Sequence, residues 1–213
     1  MTKTGGSSFK QILKRNLGPT YHEHYGYIWE EPYKAEQIEW LFKTHSGFRC
    51  FVAHRLNLDL PFHSQHFSLK AITFVRDPAS RFLSHYFFHR NNDMPGHEIT
   101  QKLSIEEFVQ HGLVEGKESW LIDGQLKYLT KNLDAVDLDA IKKLVDADQL
   151  YLFPLSSFDD TCVILEKELP AFFPDASYVR ENVSIRDQKE SPELRERIAS
   201  YMNLDYRLLE IGA

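Results

Sequence analysis

Cysteine is scarce in this chain: Cys50 and Cys162 are the only two in 213 residues. Both sit in apolar sequence, so they read as buried thiols, and nothing suggests a disulfide framework. That usage points to a reducing, cytoplasmic compartment. Long apolar runs are also missing. No run approaches the ~20 residues that cross a bilayer, and the polar start carries no signal-peptide pattern. No membrane segment is therefore expected. A surplus of positive charge is lacking too, since the formal net charge is −6. That argues against a surface that attracts nucleic acid as a whole, and no nucleic-acid partner is expected. A local basic cleft for a small anion is still compatible with it. Repeats, low-complexity tracts and linker-like stretches are absent, so residues 1–213 read as one domain.

Two motifs are missing as well. No Gly-Lys-Ser/Thr closes a glycine-rich loop, so there is no Walker A sequence. His22 and His24 stand two apart without a third ligand in a matching pattern, which is too little for a metal. No metal is expected.

What is present begins at once, with Lys3-Thr4-Gly5-Gly6-Ser7-Ser8-Phe9. Two glycines permit tight turns and close approach of a ligand. Phe9, Ile12, Leu13 and Leu17 then share one helical face, and Gly18-Pro19 stops the helix. A glycine-rich turn opening a helix offers N–H groups and the positive end of the helix dipole to an anion. Lys3 adds a full charge, and Thr4, Ser7 and Ser8 add donors. The set suits a phosphate or a sulfate.

Further along, residues 21–33 read as an aromatic loop and residues 36–43 as a short helix. Residues 48–54 and 70–76 are short runs rich in β-formers and read as buried strands. Asp77-Pro78 caps and opens a helix whose stripe is Ala79, Phe82, Leu83, Tyr86 and Phe87. Ser104-Ile105-Glu106-Glu107 is a capping box for a helix that should stop at Gly112. Helices are expected over 120–129, 138–145 and 159–169, a strand over 149–155, and one long helix from Pro192 to about Leu209. Strands alternating with helices give an α/β domain with a mostly parallel sheet. In such sheets ligands gather at the carboxyl ends of strands. The loop at residues 3–8, His54 and Arg76 all occupy such ends or the turns after them. Arg76 and Ser84, two helical turns on, suit one phosphate. His54 is a strand-end imidazole that can act as a base or can be a satisfied structural histidine. His85 and His89 are four apart on one helix, a spacing that can bind zinc, and read as a solvated or packed pair.

The first loop resembles the 5′-phosphosulfate loop of sulfotransferases that use 3′-phosphoadenosine 5′-phosphosulfate (PAPS). It is most similar to the branch related to heparan sulfate 2-O- and 6-O-sulfotransferases, whose usual form is Pro-Lys-Thr-Gly-Gly-Thr-Ser; Thr2 stands at the proline. Arg76-Asp77-Pro78-Ala79-Ser80-Arg81-Phe82-Leu83-Ser84-His85-Tyr86 resembles the 3′-phosphate motif Arg-Asp-Pro-x-x-Arg-x-x-Ser-x-Tyr at every fixed position. Weaker similarity continues at residues 119–129, at 151–158 and in Glu181-Asn182-Val183-Ser184. At residues 156–157 two serines replace the usual Glu-Arg.

The resemblance implies a three-layer, P-loop-like α/β fold and an enzyme that transfers a sulfuryl group from PAPS to a hydroxyl, on a carbohydrate or another small acceptor. It implies that Lys3 steadies the leaving phosphosulfate bridge. Thr4, Gly5, Gly6, Ser7 and Ser8 would hold the 5′-phosphate and sulfate, and Arg76 and Ser84 the 3′-phosphate. It makes His54 the base; His63 and His66 are reserves in the following loop. The family has glycine where Ala53 precedes the histidine. The family loop also follows a buried strand, whereas only Met1 and Thr2 precede Lys3, so the first strand is expected to be missing or supplied by another segment. Rival readings are a non-catalytic nucleotide- or glycan-binding module of the same fold, and a P-loop nucleotide kinase.

Overall fold

The computed structural model describes residues 5–24, 31–45, 47–54, 56–92, 98–130, 137–178 and 190–213. Lys3, Thr4 and residues 181–184 lie outside them.

The order of elements alternates as an α/β chain should. Helix α1 (Gly6–Leu17) leads through a 3₁₀ turn to strand β1 (Tyr21–His24), helix α2 (Ala35–Thr44) and strand β2 (Cys50–Ala53). Strand β3 (Ala71–Val75) and helix α3 (Pro78–Asn91) follow, then short helices α4 (Glu98–Lys102), α5 (Ile105–Val109) and α6 (Gly124–Leu129). Helix α7 (Leu138–Asp146), strand β4 (Leu150–Pro154), helix α8 (Phe158–Glu168), α9 (Pro192–Ala199) and α10 (Asn203–Ile211) complete it.

Both strand pairs are parallel. β1 pairs with β2 from Tyr21–Cys50 to His24–Ala53, and β3 with β4 from Ala71–Leu150 to Val75–Pro154. Pro154 ends its strand, where a missing N–H costs least. The two pairs form separate two-stranded sheets. Between them lies a cavity of about 660 Å³, walled by Cys50 and Val52 of β2 and by Ile72 and Phe74 of β3. Among the described residues no strand joins β2 to β3.

Three apolar clusters hold the elements together. α1 packs through Phe9, Ile12, Leu13 and Leu17 onto Phe74 of β3 and Phe158, Cys162 and Leu165 of α8. The Phe9 ring meets Phe74 edge-on at 5.0 Å and stacks on Phe173 at 5.9 Å. A second cluster surrounds α3, and a third joins Val75, α6, α7, β4 and Leu208 of α10. α3 has the expected stripe, but Arg81, Ser84, His85 and His89 are buried as well. A helix buried on all sides is a core helix. His85 and His89 pack ring on ring, centroids 4.3 Å apart, with Trp120 edge-on to His85.

Several elements depart from the sequence-based expectations. Residues 21–24 are a strand, because their backbone finds a partner in β2. His22 stacks on Phe48 and Phe51, with centroids 4.7 and 5.6 Å away. The helix after Ser104 keeps its capping box but continues past Gly112 as a π-turn over Gln110–Val114. The expected C-terminal helix is two helices, broken at Ser200–Met202. Asp123, from the distant α6 turn, accepts from the N–H groups of Leu204 (2.9 Å) and Asp205 (3.0 Å) and so opens α10. Both cysteines are free. Burial pushes the Cys50 thiol up to about 12 and contributes most to raising Cys162 to about 11, so neither is a ready thiolate. No helix among the described residues is long and apolar enough to cross a membrane.

Candidate active site

The site starts at Gly5. Its φ of 79° lies in the left-handed region, and it caps the start of α1. A Cβ there would stand 2.5 Å from Leu155 Cδ1, just beyond the carboxyl end of β4. Glycine is therefore required twice over, by backbone angle and by space. The loop is pinned at this end of the sheet, and α1 runs back from it. Ser7 is exposed and Ser8 buried in the first turn of α1. That turn carries the positive end of the α1 dipole.

His54 is the residue after β2. It and Gly6 line the same cavity, with Lys10, Glu23 and Asn57. Burial, with help from the nearby Lys10 cation, lowers the His54 pKa to about 4, against the opposing pull of Glu23. The imidazole is neutral at physiological pH. Glu23 is itself held by Lys10, by Lys14 at 3.2 Å and by the Tyr21 hydroxyl at 3.0 Å. α1 thus brings two cations to the β1 side of the cavity. His63 and His66 do not line this cavity; His63 is engaged by Gln149 at 2.7 Å and Ser68 at 3.1 Å.

Arg76 follows β3 directly. Its backbone N–H donates to Gln125 Oε1 at 2.7 Å, and its carbonyl accepts from Gln125 Nε2 at 2.8 Å. The next residue, Asp77, caps α3 by accepting from the Ser80 N–H at 2.8 Å. Arg195 of α9 pairs with Asp77 and donates to Ser80 Oγ at 3.0 Å, and the Tyr206 hydroxyl donates to Asp77 at 3.1 Å. Burial pushes the Asp77 carboxyl up, but these donors outweigh it and hold it below the usual value. Ser84 lies two turns into α3 and is buried. Neither Arg76 nor Ser84 lines the cavity that Gly6 and His54 share.

Arg81, the other fixed arginine of that stretch, is structural. It is 1% exposed, donates to the Leu121 carbonyl at 2.9 Å and faces Asp205 at 4.0 Å. A Cβ on Gly124 would stand 2.4 Å from its guanidinium, so the glycine makes room for the arginine.

A model of the sulfotransferase family matches residues 1–210. The chain belongs to the sulfotransferase family. No curated protein matches it. In this sulfotransferase, His54 and Arg76 directly follow parallel strands β2 and β3, and the glycine turn packs beside Leu155, just past β4. Sequence reasoning did not single out Gln125, Lys10 or Glu23 as site residues. Gln125 lies in a family-like segment, and Lys10 is one helical turn after Gly6; those were the available signals. Asp205, an acid with no exposure, gave none.

Proposed function

We propose that this sulfotransferase moves a sulfuryl group from PAPS to a hydroxyl of a carbohydrate, in the manner of the heparan sulfate 2-O- and 6-O-branch. The observation that supports this reading is a convergence of strand ends: the left-handed Gly5 turn packs beside Leu155, just past β4, and Arg76 directly follows β3, the parallel partner of β4. The groups present fit the donor chemically: a left-handed glycine turn, a helix N-terminus, a lysine at position 3 and an arginine after β3 are all suited to anions. When bound, the donor supplies the sulfuryl group, and 3′-phosphoadenosine 5′-phosphate is released.

In this reading Lys3 neutralises charge gathering on the bridging oxygen. Thr4, Gly5, Gly6, Ser7 and Ser8 hold the 5′-phosphate and sulfate. Arg76 and Ser84 hold the 3′-phosphate. His54 takes the acceptor proton as the new O–S bond forms and the old S–O bond breaks. Burial keeps the imidazole neutral and its lone pair free, and the lowered pKa makes it a weaker base than an ordinary histidine. Catalysis is positioning plus electrostatic stabilisation.

The test is calorimetry with 3′-phosphoadenosine 5′-phosphate without metal, alongside a sulfate-transfer assay on carbohydrate acceptors. Arg76→Ala is expected to weaken the nucleotide by ~2–5 kcal/mol through loss of a charge-paired contact. Equal affinity for the nucleotide and its 3′-dephospho analogue would overturn the donor assignment. Transfer to small hydroxyl compounds but not to carbohydrates would overturn the acceptor class.

A further inference from the structure

We propose that Gln125 is a positioning residue that aims Arg76, and that the buried carboxylate of Asp205 sets Gln125 in place. This rests on the reading that Arg76 binds the 3′-phosphate.

Arg76 stands where β3 has ended and the α3 cap has not begun. Strand pairing with β4 stops at Val75. At that junction the backbone would be free to turn. Gln125 instead satisfies both polar groups of Arg76, accepting from its N–H at 2.7 Å and donating to its carbonyl at 2.8 Å. A primary amide can do this because it carries an acceptor and donors side by side. The Gln125 side chain acts as a one-residue extension of the sheet, and fixes the direction in which the Arg76 side chain leaves the backbone.

A clamp is only as firm as its own anchor. Gln125 has no exposure. Its N–H donates to Asp205 Oδ2 at 3.1 Å, and the Leu126 N–H donates to Oδ1 at 2.8 Å. Asp205 is equally buried and also faces Arg81 at 4.0 Å. Burial holds its pKa above the ordinary carboxylate value, against the pull of that guanidinium and those two N–H groups. On the other side of Arg76, Asp77 is tied to Arg195 and Tyr206. Arg76 is thus fixed from both sides by buried or half-buried polar contacts, none of which touches the cavity beside His54.

The experiment compares two ligands on the full chain: 3′-phosphoadenosine 5′-phosphate and adenosine 5′-phosphate, which lacks the 3′-phosphate. Gln125→Leu removes both bonds to Arg76. It is expected to reduce the preference for the first ligand by about tenfold while leaving affinity for the second unchanged. A purely structural role would weaken both ligands together, and that result, or an unchanged preference, would overturn the proposal. Gln125→Glu decides the matter if the leucine variant does not fold. Its carboxylate keeps the acceptor but opposes the Arg76 carbonyl at neutral pH. Protonation restores a donor, so its deficit relative to the parent should shrink as pH is lowered. A deficit independent of pH, or none, would overturn the proposal. Arg76→Ala separates the two readings. If it keeps the preference, the 3′-phosphate role of Arg76 is wrong; if it loses the preference and the Gln125 variants do not, the clamp is wrong.

Discussion

At the scale of single residues, His54 is the most exposed assignment. Ordinary histidine titrates near 6.5, whereas burial and Lys10 bring this one to about 4. As the base, it is active when neutral, so the acid limb of kcat should fall below pH 5 and not near 6.5. His54→Ala should lower kcat by ~10²–10⁴ while 3′-phosphoadenosine 5′-phosphate still binds. Single-turnover transfer and calorimetry on the same folded variant check this; retained turnover would shift the role to another group. The same depressed pKa bears on stability. Between pH 6.5 and 4 the unfolded histidine binds a proton that the folded one refuses, so stability is lost as pH falls through that window. The alanine variant should show a shallower fall in Tm over that range. Gly5 offers a second test. Gly5→Ala must adopt φ near 79° and meet Leu155, and should cost about 1–2 kcal/mol. Gly6→Ala is the control, because nothing lies within 4 Å of its Cβ position. Denaturant melts of the pair give the difference. Gly5, Gly6, His54 and Arg76 could all be picked from the sequence because glycine pairs and strand ends are local patterns. Gln125 and Asp205 could not be picked on that ground. Their partners lie 49 and 80 residues away, and nothing local marks a polar side chain as buried.

At the scale of elements, α6 and α10 exchange caps. Asp123 accepts from the first N–H groups of α10, and Asp205 accepts from those of α6. Asp123→Ala should cost about 1–2 kcal/mol, the ordinary worth of a cap. Asp205→Ala also leaves Arg81 buried without its acid and should cost about 3–5 kcal/mol. Urea unfolding measures both, and equal losses would show that the Arg81 contact contributes nothing. This exchange explains why the C-terminal helix reads as continuous in sequence. Leu194, Ile198, Met202 and Tyr206 keep helical spacing through the break, so periodicity alone joins what a cap from another part of the chain separates. Strand β1 escaped notice for a related reason. Tyr21-His22-Glu23-His24 has no apolar alternation, and its pairing depends on β2, near residue 50. By contrast α1, α3 and α5 were legible, since Gly-Pro, Asp-Pro and a capping box are written within a few residues.

At the scale of the whole molecule, the two parallel pairs leave β2 and β3 on opposite sides of an apolar cavity. Among the described residues no strand lies between these two. Adding a six-residue apolar strand before residue 1 should supply backbone partners to both edges and fill the space. Tm should rise by about 3 °C or more relative to the same chain extended by Gly and Ser, equivalent to about 1 kcal/mol. Equal Tm values would show that the space does not accept a strand.

The contacts that hold Arg76 and Asp77 also impose an order in time. Tyr206 lies 129 residues beyond Asp77, and Asp205 lies 80 beyond Gln125. A ribosome adding about 5–20 residues per second takes roughly ten seconds to cover the longer interval. For most of that time Gln125 has already been made, yet the Asp205 carboxylate that anchors it has not. The anchoring of the arginine proposed to hold the 3′-phosphate is therefore completed only when the C-terminal helix emerges, and in that reading a nascent chain lacking α10 should discriminate the 3′-phosphate poorly.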